Sequence, residues 1–364
     1  MSKALTPVPS AFARQLVRWQ RQYGRHDLPW QRTRDPYRVW LSEVMLQQTQ
    51  VSTVLGYYDR FLSRFPDVAA LAAAPADDVM GLWSGLGYYS RARNLHRCAQ
   101  VVMSEHGGRF PASAEQLQTL PGIGRSTAAA IASLCHDERI AILDGNVKRV
   151  LTRLLAFEQD LAKPAAEKAL WELAQALLPV RGGDMPAYTQ GVMDLGATVC
   201  TRSQPLCQVC PVRAQCQAYQ REETDRFPIK TRTLRRTAQT WWWLLAMNPH
   251  GDVLLVKRPP KGIWADLHCL PLFEEASSLT ALLPAAVVRQ AVHLPVMVQA
   301  LTHRDLHLHT LRVQVGARQA EALARAVSGR WCSPEVWVSL GLPAPVRQLL
   351  TQTPAHPARG GGAA

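Results

Sequence analysis

The chain has no apolar run of about 18 residues or more, which excludes a membrane-spanning helix. Its first ten residues, Met1 to Ser10, carry no apolar core of the kind an export signal needs, and the expected location is the cytoplasm. No internal repeat is present. Acid is the scarce charge: 28 Asp and Glu face 41 Lys and Arg, for a formal net charge of +13. Such a balance draws a chain to polyanions, because each neutralised phosphate releases a condensed counterion. Residues Arg226 to Arg236 sharpen the excess, with five basic residues and no acid. Cysteine is modest at eight, and only four of the eight cluster. Without an export signal, that cluster suits metal ligands better than disulfides.

What is present fits two folded domains. A chain of 364 residues exceeds one ordinary core, and 47% apolar residues suffice to build two. Residues 11 to 225 read as almost wholly helical. Asp35-Pro36 is an N-cap followed by proline at the first helical position. Tyr37, Trp40, Leu41, Val44 and Met45 then recur at helical spacing. Ser113 and Gln116 pattern as a capping box, and helical signals continue over 126–134, 148–155 and 165–178. Residues 226–237 form a basic linker without periodicity. Beyond it, Trp241 to Leu245, Val253 to Val256 and Leu306 to Val315 read as strands, and Ala317 to Ala326 as a helix. The expected division is therefore a mainly α domain over 1–225, the linker, an α+β domain over 238–352, and a disordered Pro/Gly/Ala-rich tail over 353–364.

Three motifs carry chemistry. Cys200-x6-Cys207-x2-Cys210-x5-Cys216 places four thiols close enough to bind one zinc ion or an iron–sulfur cluster, and chemistry alone leaves both open. Leu120-Pro121-Gly122-Ile123-Gly124-Arg125-Ser126 joins two helices. Gly122 and Gly124 admit close backbone approach, and the amides of the next helix start can grip a phosphate; a plain glycine turn is the bland reading. In Leu143-Asp144-Gly145-Asn146, Asp144 can cap the following helix. A carboxylate there is stabilised as the anion, which predicts an ionised Asp144 able to face a sugar cation.

These motifs, in this order over residues 120–216, resemble the endonuclease III superfamily of helix-hairpin-helix DNA glycosylases. The resemblance implies a [4Fe-4S] cluster on Cys200, Cys207, Cys210 and Cys216 that holds Arg202 and other basic residues near phosphate. It makes Gly122, Gly124 and Ser126 a DNA-backbone contact, and Asp144, with Asn146 orienting it, the stabiliser of the sugar cation. The bifunctional branch has a lysine where this chain has Ser126, so a hydrolytic, monofunctional enzyme is expected.

Leu28-Pro29-Trp30 and the stretch from Trp40 to Val51 are similar to adenine DNA glycosylases of the MutY family. That similarity implies that Glu43 protonates a flipped adenine at N7, with partial burial raising its pKa. It also implies that Trp30 lines the pocket, Gln48 and Leu46 enter the duplex, Tyr88 intercalates, and Gln190 contacts the base. The C-terminal half, with Gly262-Ile263-Trp264-Ala265-Asp266-Leu267, resembles a Nudix-like domain. The acidic Nudix box is absent, so neither pyrophosphohydrolase activity nor a Mg²⁺ site is expected. Leu301-Thr302-His303 matches the family's Phe-Ser-His loop that reads 8-oxoguanine, with leucine in place of the aromatic residue. The expected partner is duplex DNA carrying adenine opposite 8-oxoguanine or guanine, bound by a monomer associated with the nucleoid. Two other readings stand beside this one. An endonuclease III-type glycosylase and lyase would need the lysine that Ser126 replaces, and a non-catalytic iron–sulfur DNA-binding regulator would lack Glu43 and Asp144.

Overall fold

A computed structural model of the protein describes residues 11–231 and 236–353. The expected tail lies outside the described residues beyond Thr353, as do residues 232–235 of the linker. The chain divides into two compact units. Unit one comprises residues 1–72 and 97–233; unit two comprises residues 73–96 and 234–364, and so takes in a segment from within the helical half.

The helices of the first two-thirds are α1 Ala11–Tyr23, α2 Pro36–Leu46, α3 Val51–Arg64, α4 Val68–Ala73, α5 Ala76–Trp83 and α6 Ser90–His106. They continue as α7 Ala114–Leu117, α8 Arg125–His136, α9 Gly145–Leu154, α10 Pro164–Ala176, α11 Met185–Asp194 and α12 Gln217–Gln220. Local chemistry sets several starts. The Tyr37 amide donates to Asp35 Oδ1 at 3.0 Å at the head of α2, Ser113 Oγ accepts from the Gln116 amide at 3.3 Å at α7, and Asp144 caps α9. The core of unit one is built from buried faces of α1, α8, α9, α10 and α11, including Phe12, Leu16, Val147, Leu151, Leu170 and Tyr188. Burying each such side chain contributes about 1.5–3 kcal/mol against chain entropy.

Unit two is a mixed sheet flanked by helices. Its strands are β1 Thr237–Met247, β2 Val253–Lys257, β3 His268–Cys269, β4 Leu272–Phe273, β5 Val292–His293, β6 Met297–Ala300, β7 Arg304–Gln314 and β8 Arg330–Cys332. Its remaining helices are α13 Ala276–Thr280, α14 Ala285–Arg289, α15 Ala317–Ala326, α16 Pro334–Trp337 and α17 Ala344–Gln352. The path through the sheet is β3-β2-β1-β7-β5. At its centre β1 and β7 pair in parallel from Thr237 opposite Arg304 to Met247 opposite Gln314. The other pairs are antiparallel, and β6 folds back on β7 with Ala300 opposite Asp305. Leu301-Thr302-His303 is thereby the turn of a hairpin, closed by the Leu301 amide donating to Arg304 O at 2.7 Å. Leu244, Leu311, Val313 and Leu323 lie in the core on one face of the sheet.

Residues 73–96 are knit into this unit by named bonds. Ser84 Oγ and Tyr89 Oη both donate to Leu342 O, at 3.0 and 2.9 Å, and Arg347 Nε donates to Ser84 Oγ at 3.1 Å. Gly81 passes so close to Ser339 that a Cβ there would lie 2.1 Å from its carbonyl oxygen, so only glycine fits.

Candidate active site and cysteine loop

A cavity in unit one is lined by Trp30, Glu43, Leu46 and Gln190, together with Arg25 and His26. Four residues singled out in the sequence therefore meet at one place. Trp30 is 7% exposed and packs edge-on against Tyr58 with ring centroids 5.2 Å apart. Glu43 projects from α2, whose opposite face buries Tyr37, Trp40, Leu41, Val44 and Met45. Burial, and then the charge of Asp144, push the Glu43 carboxyl up from its ordinary value to about 7. A carboxylic acid so placed holds a proton near neutrality and can donate it.

Asp144 does what a cap does: its Oδ1 accepts from the Val147 amide at 2.7 Å. The helix terminus is one of several influences on its charge. Burial raises the Asp144 carboxyl above the usual range and outweighs the Val147 and Asn146 amides and the charges of Arg149 and Lys148, which act downward. The neighbouring Ser126 hydroxyl accepts from the Leu143 amide at 3.0 Å, tying the start of α8 to the loop that carries Asp144. Gly122 has φ of 77° and Gly124 is the N-cap of α8; both are exposed.

Asn146 Oδ1 accepts from Arg149 Nη2 at 2.9 Å, and the same guanidinium donates to Gly196 O at 2.6 Å and to Cys200 O at 2.7 Å. Arg149 thus joins the Asp144–Asn146 loop to the first cysteine. Gly196 is obligatory there, since a Cβ would fall 2.8 Å from Asn146 Cβ.

Cys200, Cys207, Cys210 and Cys216 line one small cavity. Among the described residues no group of three or more His, Cys, Asp or Glu is placed to hold a metal ion as it stands. Their setting is polarised. Arg153, only 2% exposed, donates to Cys200 Sγ at 3.4 Å, Thr201 O at 2.7 Å and Arg202 O at 3.1 Å. Its own carbonyl accepts from Cys216 Sγ at 3.4 Å. Arg202 itself is exposed.

Arg25 and Asp194 were not legible as site residues in the sequence. Gln190 Nε2 donates to Asp194 Oδ1 at 2.8 Å, and Arg25 grips the same fully buried carboxylate from its backbone amide at 3.0 Å and its Nε at 2.7 Å. Only the i,i+4 spacing of Gln190 and Asp194 on α11 could have signalled this pair.

Tyr88, Leu301 and Thr302 lie in unit two and line a second cavity of about 1160 Å³. His303 is exposed at the same hairpin turn but is not among the lining residues. Gln48 and Tyr88 share a feature: both are exposed non-glycine residues in left-handed backbone, with φ of 58° and 48°. Such a conformation costs on the order of 1–3 kcal/mol and is retained where the surroundings hold it, most often at functional sites.

Residues 41–176 match the HhH-GPD superfamily of base excision DNA repair proteins, and residues 242–352 match the NUDIX domain. The helical unit with its buried acid and glycine hairpin is thus of the base excision glycosylase class. A solved structure of a thermostable thymine-DNA glycosylase aligns with a TM-score of 0.51 and 30% identity, covering 58% of this chain and 96% of that one. The adenine DNA glycosylase of Buchnera aphidicola subsp. Baizongia pistaciae is 32% identical over 343 residues, covering 94% of this chain and 96% of that protein. The adenine DNA glycosylases of Rattus norvegicus and Homo sapiens are 49% and 47% identical over 222 and 227 residues, covering 58% and 60% of this chain and 42% and 41% of theirs. The chain belongs to the adenine DNA glycosylase family, whose members are DNA N-glycosylases of base excision repair. No helix among the described residues is long and apolar enough to cross a membrane.

Proposed function

We propose that this protein flips adenine out of duplex DNA where it is paired with 8-oxoguanine or guanine, and hydrolyses its N-glycosidic bond as a monofunctional enzyme. The observation that carries the reading is the Glu43 carboxyl, poised at about 7 in a cavity with Trp30 and Gln190 and within the field of Asp144. Adenine leaves poorly unless its ring is protonated, and a half-buried acid at that pKa supplies the proton. As the bond breaks, positive charge grows on the sugar, and Asp144 stabilises it. Asn146, held by Arg149, keeps the loop in register. Gly122, Gly124 and Ser126 present the start of α8 to a phosphate. Leu46, Gln48 and Tyr88 enter the stack, and Thr302 and His303 address the base opposite the adenine.

The four cysteines fit a [4Fe-4S] cluster. Their 6-2-5 spacing, the shared cavity and the Arg153 guanidinium on Cys200 Sγ all suit a site of net negative charge. When bound, such a cluster would cross-link the loop covalently and hold its basic residues, Arg202 among them, toward phosphate. The lyase reading is disfavoured by Ser126, whose hydroxyl is engaged by Leu143 and which cannot form a Schiff base.

The test is single-turnover adenine release from duplexes with adenine opposite 8-oxoguanine, guanine or thymine, beside Glu43→Gln. Release in that order of rate, lost in the variant, is expected. A brown, DNA-binding preparation that frees no adenine would sink the assignment and favour a non-catalytic regulator; a colourless, zinc-containing one would remove the cluster from it.

A further inference from the structure

Three loops of unit two border the 1160 Å³ cavity: residues 85–90, residues 262–265 and residues 299–302. That volume exceeds the roughly 300–1,000 Å³ of small-molecule sites, which suits a segment of a polymer better than a free metabolite. Two of the loops are held in backbone that side chains rarely adopt. Gly85, Gly87 and Tyr88 have φ of 105°, 71° and 48°, and Gly262, Trp264 and Asp266 have φ of 97°, 57° and 59°. Glycine adopts such backbone freely, but at Tyr88, Trp264 and Asp266 it persists only where neighbours over-determine it.

Two arginines provide that constraint. Arg91 closes the first loop on itself, with Nη2 donating to Leu86 O and Gly87 O at 3.2 Å each and its guanidinium 5.5 Å from the Tyr88 ring centroid. Arg93, two residues on, reaches the second loop instead. Its Nη1 donates to Ala265 O at 2.8 Å and its Nε lies 3.5 Å from Asp266 Oδ2. Ala265 stands between the two left-handed residues, so the guanidinium grips the loop at its most constrained point. Trp264 is fixed from below by Trp241 and Trp243, at 5.8 and 5.6 Å between ring centroids. The tie leaves Ile263 at the cavity wall, with open space where a Cβ on Gly262 would point.

We infer that Arg93 is a positioning residue for recognition of the base opposite the adenine: it couples the Tyr88 turn to the 262–266 loop, so that insertion into the duplex and reading of the opposite base occur on one rigid wall. The inference rests on the reading of Thr302 and Tyr88 as the lesion side of the site. It gives Arg93 and Ile263 a role in choosing 8-oxoguanine over guanine, separate from the chemistry at Glu43.

The test uses the full-length protein and measures two quantities. One is affinity for duplexes carrying 2′-fluoro-2′-deoxyadenosine, which resists cleavage, opposite 8-oxoguanine or guanine. The other is the single-turnover rate on the natural mispairs with enzyme in excess. Arg93→Ala is expected to shrink the 8-oxoguanine-to-guanine affinity ratio about tenfold, while the saturated excision rate falls less than threefold. Arg93→Lys keeps a donor for Ala265 O but loses the fork, and should shrink the ratio by a smaller factor. Lys257→Ala breaks a different tie of the same segment, the 2.7 Å ion pair to Asp77, and should leave the ratio alone. An unchanged ratio in folded Arg93→Ala overturns the inference, as does an equal loss in Lys257→Ala. Should Arg93→Ala not fold, an unchanged ratio in Arg93→Lys overturns it equally. Wild-type protein with no preference between the two bases would instead sink the lesion-side reading beneath it.

Discussion

At the scale of single residues, the proposed chemistry turns on two carboxyls, both raised by burial. Glu43 is lifted to about 7 chiefly by burial. Below pH 4.5 it is protonated in both folded and unfolded chains and has no effect on stability. Between there and about 7 the unfolded chain releases a proton that the folded one retains, so stability falls as pH rises. Glu43→Gln should therefore be more stable than wild type by on the order of 2 kcal/mol at pH 8, allowing for water in the pocket, with no difference at pH 4. Urea melts at the two pH values check this; equal melts at both would mean that Glu43 ionises normally. The same substitution should cost roughly 10²- to 10⁴-fold in excision rate. The wild-type rate should fall above about pH 7, as the acid form is lost. Asp144 allows a cleaner separation of roles, because asparagine caps a helix about as well as aspartate. Asp144→Asn keeps the cap and should not lower stability, while excision falls by roughly 10²- to 10³-fold. Asp144→Ala should add about 1 kcal/mol of destabilisation. If Asn and Ala lower stability alike, the 2.7 Å bond to Val147 is not a working cap.

At the scale of elements, the loop that carries Asp144 is suspended between two helices and the cysteine loop. Ser126 Oγ holds Leu143, and Leu143 is only 3% exposed. Ser126→Ala leaves a buried amide without its partner, which costs about 1–3 kcal/mol. A comparable fraction of that should appear as lost excision rate, because the same loop aims Asp144. Thermal melts and single-turnover rates together check it; a rate loss without a stability loss would mean that Ser126 acts through its phosphate contact and not through the bond to Leu143. Elements of this kind divide sharply by how far the sequence reveals them. Asp35-Pro36, Ser113 with Gln116, and the alternation through Leu306 and Leu308 are local signals, and α2, α7 and β7 lie where those signals put them. Strands β3, β4 and β5 have two residues each, too few for any period to register. The Arg25–Asp194 bond joins positions 169 apart, and the left-handed backbone at Gln48 and Tyr88 belongs to residue types that carry no such preference. Asp144 and the turn at Gly122 and Gly124 announce themselves by capping and turn signals, whereas Glu43 and Gln190 lie mid-helix and are singled out only through the family resemblance. Arg93, Arg149 and Arg153 were not legible, since an arginine shows nothing in sequence of which distant carbonyl it will hold.

At the scale of the whole molecule, the division of labour does not follow the order of the chain. Residues 73–96 lie inside the helical half of the sequence yet pack in unit two, and α6 runs across the division. Val79, Met80 and Trp83 are 0%, 3% and 0% exposed, and Ser84 and Tyr89 bond to Leu342. A fragment ending at residue 231 would keep Glu43, Asp144 and the cysteines but remove the partners of this segment. Exposing even two of those side chains costs about 3–6 kcal/mol, so the segment should open locally while unit one stays folded. Hydrogen exchange should then accelerate by at least roughly 100-fold over 76–93 relative to the full chain. Protection over α8 and α9 should remain within roughly tenfold. Equal protection of 76–93 in both proteins would show that α5 and the Tyr88 turn hold their shape without unit two. Excision by the fragment would then keep the contribution of Tyr88. Loss of protection confined to 76–93 would mean that the Tyr88 turn depends on unit two for its shape, while the pocket around Glu43 folds on its own.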